Sequence, residues 1–183
     1  MIEIEAERAR VVAEARAWLR TPYHHMGRIK GAGVDCATLL AEVYAQAGVL
    51  PPLELPFYPP DWHLHRDSER YLDFVLRHAV EISLASHEGS RLNSPLTCAT
   101  RVPNPADLAL WRFGRCFSHG AIVIGWPLVI HAYAGRGCVL EDAAKAHWLA
   151  YLGGQRGEAR QKRPVKFFTL KRWAPMPAPR EQD

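Results

Sequence analysis

The sequence has few cysteines and no long apolar run. Its 183 residues include only four cysteines, and no two of them are spaced as C-x-x-C. This argues against a structural zinc or a redox motif, and a chain of this length can build a core without a framework of disulfides. The longest apolar stretch, around residues 120–134, is cut by Gly125 and Pro127. We therefore expect no membrane span, which needs about 20 apolar residues.

The chain also lacks an apolar segment near Met1, where charged residues alternate with apolar ones. We expect no secretory signal. The formal net charge is only +4, and no nucleic-acid-binding motif is visible, so we expect no nucleic-acid partner. Many of the basic residues lie between positions 156 and 172. They form either a solvated loop and strand edge or a surface that attracts an anionic polymer such as a cell wall.

One cysteine stands in a context of its own. Residues 31–48 are predicted to form a glycine-containing loop that leads into a helix, with Asp35 as its N-cap and Cys36 in its first turn. The apolar face of this helix repeats at three- and four-residue intervals and consists of Leu39, Leu40, Val43, Tyr44 and Ala47. Unpaired amides and the helix dipole would favour a thiolate at Cys36. The alternative is a small buried apolar residue, as most free cysteines are.

Two histidines lie in a predicted hairpin downstream. Residues 117–124 and 128–133 are predicted strands, separated by a Gly-Trp-Pro turn. A connection of odd length would place His119 and His131 on one face of the sheet. His119 could then accept the proton of the Cys36 thiol, while His131 orients it, as nucleophilic catalysis by a thiol requires. The alternative is a pair of histidines in the core.

Helices dominate the first half of the chain and strands the second, which predicts an α+β fold with helices packed on an antiparallel sheet of about five strands. The predicted helices are 3–19, 35–47 and one from Asp67 or Ser68 to about Ala79. The predicted strands are 107–113, 117–124, 128–133, 137–141 and 164–171. We expect one domain over residues 1–173, with 52–103 as a proline-rich and helical insertion, and a loose tail over 174–183.

Three groups of motifs in the sequence resemble the NlpC/P60 family of papain-like cysteine peptidases. The Pro-Tyr and Asp-Cys motifs of that family resemble Thr21-Pro22-Tyr23 and Asp35-Cys36, and the segment from Asn104 to Trp111 resembles its Pro-Gly-Asp-Leu motif. Ser118 to Gly125, followed by Ile130-His131-Ala132, resembles its two histidine strands. The resemblance implies a papain-like fold, with Cys36, His119 and His131 as catalytic residues and no cofactor or metal.

The segment Pro60-Asp61-Trp62 and the histidines after Tyr23 resemble the compact members found in phage tails and gene-transfer agents. The likeness to these members implies tail-tip or baseplate hub proteins as partners, for a chain made in the cytoplasm and incorporated into a phage-tail-like particle. The family resemblance as a whole implies hydrolysis of peptidoglycan stem peptides at the bond between D-glutamate and a diamino acid.

The resemblance also implies substrate-binding residues. Tyr23 would help to position the scissile carbonyl, and Asp35 would meet a substrate amine. The alternatives are a half-buried aromatic residue at position 23 and a simple N-cap at position 35. His24 and His25 either contact substrate or are surface residues. A further pair, His63 and His65, lacks an acidic or cysteine partner, and we expect no metal site there.

Departures from the family pattern concern the substrate pocket and its walls, and two functions from other classes stay open. The Ser-Gly that usually follows the cysteine is replaced by Ala37-Thr38, and the distance from Cys36 to His119 is 83 positions, longer than the family core needs. One alternative is a structural tail-tip protein with little or no activity. The other is a thiol acyltransferase or amidase with the same three residues, which an apolar groove beside Cys36 would indicate.

Overall fold

The computed structural model describes residues 2–60, 68–82, 102–146, 150–151 and 161–175. Its α-helices are α1 (Ile2–Ala17), α2 (Cys36–Gln46) and α3 (Arg70–His78), and a short 3-10 helix spans Lys171–Trp173. The longer strands are β3 (Ala79–Ile82), β4 (Leu108–Phe113), β5 (Cys116–Gly125), β6 (Leu128–Tyr133), β7 (Gly137–Asp142) and β10 (Val165–Leu170). Two-residue strands β1 (Arg28–Ile29) and β2 (Gly33–Val34) pair with each other, as do β8 (Ala150–Tyr151) and β9 (Gln161–Lys162).

The predicted α+β class is confirmed: helices pack on one antiparallel sheet, in the order β3-β10-β4-β5-β6-β7. This sheet has six strands rather than about five. The additional strand is β3, which follows α3 without a glycine or proline between them. Because the four residues of β3 directly follow the residues of α3, no turn residue in the sequence indicates that a strand begins there. Pairing with β10 stabilises it at the edge of the sheet.

Side chains of the central strands alternate between two buried layers. Leu110, Ile122 and Ile130 face the helices, where they join Val11 of α1 and Val43 of α2. A smaller cluster on the opposite face contains Ala109, Trp111, Ala121, Val123, Val129 and Phe167. Because both faces of the central strands are covered, these strands form a rigid platform for the polar side chains they carry.

Helix α1 is joined to the sheet by a buried ion pair. Arg8 donates to Oδ1 of Asp107 at 2.8 Å and to Oγ1 of Thr169 at 2.9 Å. Its guanidinium also lies 4.4 Å above the ring of Trp173. Asp107 is fully buried, and its other oxygen accepts a hydrogen bond from the amide of Asn104 at 2.8 Å. This ion pair therefore fixes the start of β4 against α1.

The described part of the 52–103 segment packs on the rest of the chain. Tyr71, Val75 and Ala79 lie in the same buried cluster as the apolar face of α2. Residues 61–67 and 83–101 lie outside the described part, as does the predicted helix start at Asp67. Glu69 is the observed N-cap of α3.

Among the described helices, none is long and apolar enough to cross a bilayer.

Candidate active site

The helix that carries Cys36 begins with a complete capping box. Asp35 is its N-cap, and Oδ1 of Asp35 accepts hydrogen bonds from the amides of Ala37 at 3.1 Å and Thr38 at 2.9 Å. The amide of Asp35 in turn donates to the hydroxyl of Thr38 at 3.0 Å. These bonds satisfy amides that have no partner within the helix. They place Cys36 at the first helical position, as the sequence predicts.

The sulfur of Cys36 lies against the strand that carries His119. The thiol donates to the carbonyl oxygen of Ser118, 3.8 Å from Sγ, and the nearby amide of Gly120 lowers the pKa of the thiol. Ser118 and Gly120 flank His119 in β5. Cys36 and His119 also line the same cleft. The structure therefore brings the predicted nucleophile and the predicted base together across 83 positions of sequence.

The absence of a side chain at Gly120 permits this approach. A Cβ atom at that position would lie 2.2 Å from the hydroxyl oxygen of Tyr71 and 3.0 Å from Cδ2 of Leu40. The Tyr71 hydroxyl also donates to the carbonyl of Cys36 at 3.3 Å. A larger residue after His119 would therefore push both α2 and α3 away from the strand.

His119 and His131 share one face of the sheet, as predicted, but for a different reason. The connection between β5 and β6 is a two-residue turn, not the predicted loop of odd length. A register shift between Val123 and Gly125 restores the pairing of residues of like parity, so that Val123 pairs with Val129. Such a bulge was not visible in the sequence, because it depends on how the two strands twist against each other.

The two imidazoles are in direct contact. Nε2 of His119 lies 3.0 Å from Nδ1 of His131, and the ring planes are nearly perpendicular at 84°. His131 is fully buried and His119 is 7 % exposed. Phe113 and Tyr133 flank the His119 ring, with centroid distances of 5.2 and 6.2 Å. These contacts hold the imidazole of His119 in one orientation at the cleft.

The sequence analysis missed Glu141. Nε2 of His131 donates to Oε2 of Glu141 at 3.1 Å, and Arg136 donates to Oε1 at 3.0 Å. In β7, Val139 pairs with His131, and Glu141 stands two positions further along on the same face. This parity is the signal that could have found it. Burial lowers the pKa of His131, although the Glu141 carboxylate acts in the opposite direction.

The ionisation of Cys36 differs from the expectation of a thiolate at the helix start. Burial, followed by the negative charge of Asp35, raises the pKa of the Cys36 thiol to about 12. The amides of Gly120, Cys36 and Ala37 act in the opposite direction but do not offset these effects. The resting thiol is therefore neutral near pH 7. A nucleophilic reaction here depends on transfer of the thiol proton to a base.

Asp35 has little capacity left for a substrate. Only 2 % of it is exposed, and Oδ2 accepts from the amide of Met26 at 2.8 Å and from the hydroxyl of Tyr58 at 2.7 Å. Nδ1 of His25 lies 3.5 Å from the same oxygen. The alternative role as an N-cap is confirmed. Contact with a substrate amine stays a prediction, and it would require one of these bonds to be replaced.

Tyr23 is half-buried and lines the cleft beside Cys36. Its backbone forms an isolated bridge with Val34, which places it next to the start of α2. Burial, then the proximity of Cys36 and Asp35, raises the pKa of Tyr23 to about 12. The hydroxyl therefore stays protonated near neutral pH and can donate a hydrogen bond. Its predicted contact with a scissile carbonyl is compatible with this position.

The proline-rich segment forms one wall of the cleft. Residues 55–60 line it together with α3, and the cleft volume is about 570 Å³. His25, whose role the sequence left open, donates from Nε2 to the carbonyl of Tyr58 at 2.7 Å and so braces this wall. His24 is exposed. Most of the lining is apolar or aromatic, and it includes Leu55, Phe57, Tyr71, Phe74, Phe113 and Tyr133.

Two further cysteines lie in the part of the chain that the structure describes, and neither lines the cleft. Cys116 and Cys138 are free and buried, and burial raises the pKa of Cys138 to about 12. Cys98, His63 and His65 lie outside the described residues. Within the described ranges, no group of histidine, cysteine and carboxylate side chains could hold a metal ion.

Comparison with known proteins gives a structural likeness only. No model of a protein family matches the sequence, and no curated protein matches it. Among solved structures, the NlpC/p60 domain of the peptidoglycan hydrolase SagA is similar, with 20 % sequence identity and a TM-score of 0.49. The likeness covers 75 % of this chain and 90 % of that domain.

Proposed function

We propose that this protein is a cysteine hydrolase of the NlpC/P60 type that cleaves an amide bond in peptidoglycan stem peptides. The observation that carries the chemistry is the position of the Cys36 sulfur between the backbones of Ser118 and Gly120, beside a His119 ring that contacts His131. This arrangement combines a thiol, a base and a group that orients the base, as covalent catalysis requires.

The first half of the reaction forms a thioester. His119 accepts the proton of the Cys36 thiol, and the sulfur attacks the carbonyl carbon of the scissile amide. The amide of Cys36 is a candidate donor to the resulting oxyanion, since the Asp35 side chain is bonded to the next two amides instead. When the carbon–nitrogen bond breaks, His119 returns the proton to the leaving amine.

The second half releases the acid. Water donates a proton to His119 and attacks the thioester, and the sulfur leaves as a thiolate that recovers the proton from His119. Tyr23 would donate a hydrogen bond to the carbonyl oxygen or to a neighbouring substrate group. Because the resting thiol has a raised pKa, its proton leaves most readily in step with the attack, when the substrate and His119 are both in place.

The substrate and setting follow from the motif resemblance. Cleavage between D-glutamate and a diamino acid, and assembly of the chain into a phage-tail-like particle with tail-tip or baseplate hub proteins, belong to this proposal. Digestion of purified sacculi, followed by mass spectrometry of the fragments, tests the bond. We expect fragments from the wild type and none from Cys36→Ala, while Cys116→Ala, which removes a buried thiol that does not line the cleft, retains activity. Fragments from Cys36→Ala would contradict the proposal.

The apolar cleft favours a second candidate function, a thiol acyltransferase or amidase. Leu55, Phe57 and Phe74 would bind the acyl chain of a lipid or a small apolar amide, by burial of apolar surface. The same Cys36 thioester would form. Rates on a stem-peptide fragment and on an amide with a medium-length acyl chain distinguish the two. The second candidate replaces the first if the wild type cleaves the acyl amide but not the peptide, and if Phe57→Ser lowers the rate of cleavage of the acyl amide.

A structural tail-tip role is the remaining alternative from the sequence. It predicts binding to a tail hub protein without thiol chemistry. The contact between Cys36 and the His119 strand has no function under that alternative. Binding that survives Cys36→Ala, together with intact sacculi in the wild-type digest, would support it.

A further inference from the structure

We propose that Glu141 is a positioning residue that sets the tautomers of His131 and His119, so that the nitrogen of His119 that accepts the thiol proton is unprotonated. This inference rests on the proposed role of His119 as the base. Glu141 is not among the residues that line the cleft, and its side chain is only 16 % exposed. Its effect on the reaction must therefore pass through His131.

The direction of each hydrogen bond follows from the carboxylate. An ionised carboxylate only accepts, so the proton on His131 that faces Glu141 must be on Nε2. Burial lowers the pKa of His131 and so favours its neutral form, in which Nδ1 carries no proton. This Nδ1 lies 3.0 Å from Nε2 of His119 and must accept from it. Nε2 of His119 therefore carries the proton, and Nδ1 holds the lone pair that can accept from the thiol.

Arg136 keeps the carboxylate in place for this purpose. It donates to Oε1 of Glu141 at 3.0 Å, while Oε2 accepts from His131. With one oxygen held by the guanidinium, the carboxylate cannot rotate away without losing both bonds. When His119 accepts the thiol proton, the negative charge of Glu141 stabilises the resulting imidazolium through His131.

The tautomers are measurable without any substrate. The protein is labelled with 15N-histidine, and two-bond couplings between ring nitrogens and carbons assign the protonated nitrogen of each imidazole near pH 7.5. His119→Gln and His131→Asn identify the two signals among nine histidines. In the wild type we expect the proton on Nε2 in both residues. A His119 that carries its proton on Nδ1 would overturn the proposal.

Substitution of Glu141 gives the second test. In Glu141→Ala, we expect the ratio of the two His131 tautomers to change roughly 10- to 100-fold, since a hydrogen bond to a charged group is lost, with a parallel change at His119. Glu141→Gln should change the ratio less, because its amide carbonyl can still accept from His131. Glu81→Ala is the matched control, since Glu81 is an exposed glutamate on β3 that pairs with Lys166. Unchanged ratios in both Glu141 variants would overturn the proposal.

Measurements of activity distinguish a failure of the Glu141 assignment from a failure of the proposed function. On a cleaved substrate, Glu141→Ala should lower kcat roughly 10- to 100-fold and leave KM unchanged, because Glu141 lies outside the cleft. A raised KM at constant kcat would contradict a positioning role. If the tautomers are as expected and no substrate is cleaved, the proposed function fails while the assignment of Glu141 stands.

Discussion

The hydroxyl of Tyr58 donates a hydrogen bond of 2.7 Å to the carboxylate of Asp35, the N-cap of the helix that carries Cys36. This bond joins the proline-rich wall of the cleft to the start of α2. The same carboxylate anchors the helix and the wall, so the shape of the cleft and the position of the thiol depend on one buried charge.

Removal of this bond should loosen the wall. We expect Tyr58→Phe to lower the free energy of unfolding by about 1.5–3 kcal/mol, because a hydrogen bond to a buried charged group is lost. Urea denaturation measures the change. A double-mutant cycle with Asp35→Asn is the control. If the two side chains interact as described, the changes in unfolding free energy of the two substitutions are not additive. Additive effects would show that the Tyr58 hydroxyl stabilises the fold by another route.

Thiol labelling tests the environment of Cys36. Among the three cysteines that the structure describes, we expect iodoacetamide to modify Cys36 first, because it lines the open cleft while Cys116 and Cys138 are buried. Since its pKa is raised to about 12, the labelling rate should increase steadily from pH 7 to pH 10 rather than reach a plateau near neutrality. Peptide mapping identifies the site. A plateau below pH 8 would indicate a stable thiolate, and preferential labelling of Cys116 or Cys138 over Cys36 would contradict the catalytic assignment.

The two histidines should respond differently to substitution. His119→Ala should reduce hydrolysis by about 10³-fold, as loss of a general base does. His131→Asn or His131→Gln should retain a measurable fraction, because an amide oxygen can still accept from Nε2 of His119. His131→Ala should be less active than either amide variant. Initial rates on the cleaved substrate measure the order, and an active His119→Ala would refute the assignment.

The ion pair between Arg8 and Asp107 should be important for stability rather than for chemistry. Arg8→Met leaves a fully buried carboxylate without its cation, and we expect a loss of about 3–5 kcal/mol of unfolding free energy. Chemical denaturation measures it. Lys145→Met is the matched control, because Lys145 forms an exposed pair with Asp142 and its loss should not change the midpoint. An equal effect of both variants would contradict the importance of burial.

Local patterns in the sequence predicted most of the elements and the position of Cys36 at the start of a helix. Apolar residues at three- and four-residue intervals indicated α2, and Asp35 before Cys36 indicated its cap, because the capping groups lie within four positions of each other. The strands near His119 and His131 follow from runs of β-branched residues bounded by turn residues. These features need no knowledge of distant contacts.

Other features were decided by the tertiary structure. The β-bulge in β5 places His119 and His131 on one face despite an even turn, and β3 forms a strand because β10 offers it a partner. The raised pKa of Cys36 depends on burial by elements distant in sequence, which outweighs the helix-start effect that the sequence suggested. Glu141 was identified by its contact with His131, which depends on the pairing of β6 with β7. Strand pairing, burial and proximity are properties of the whole folded chain, so they could not be predicted from any single segment.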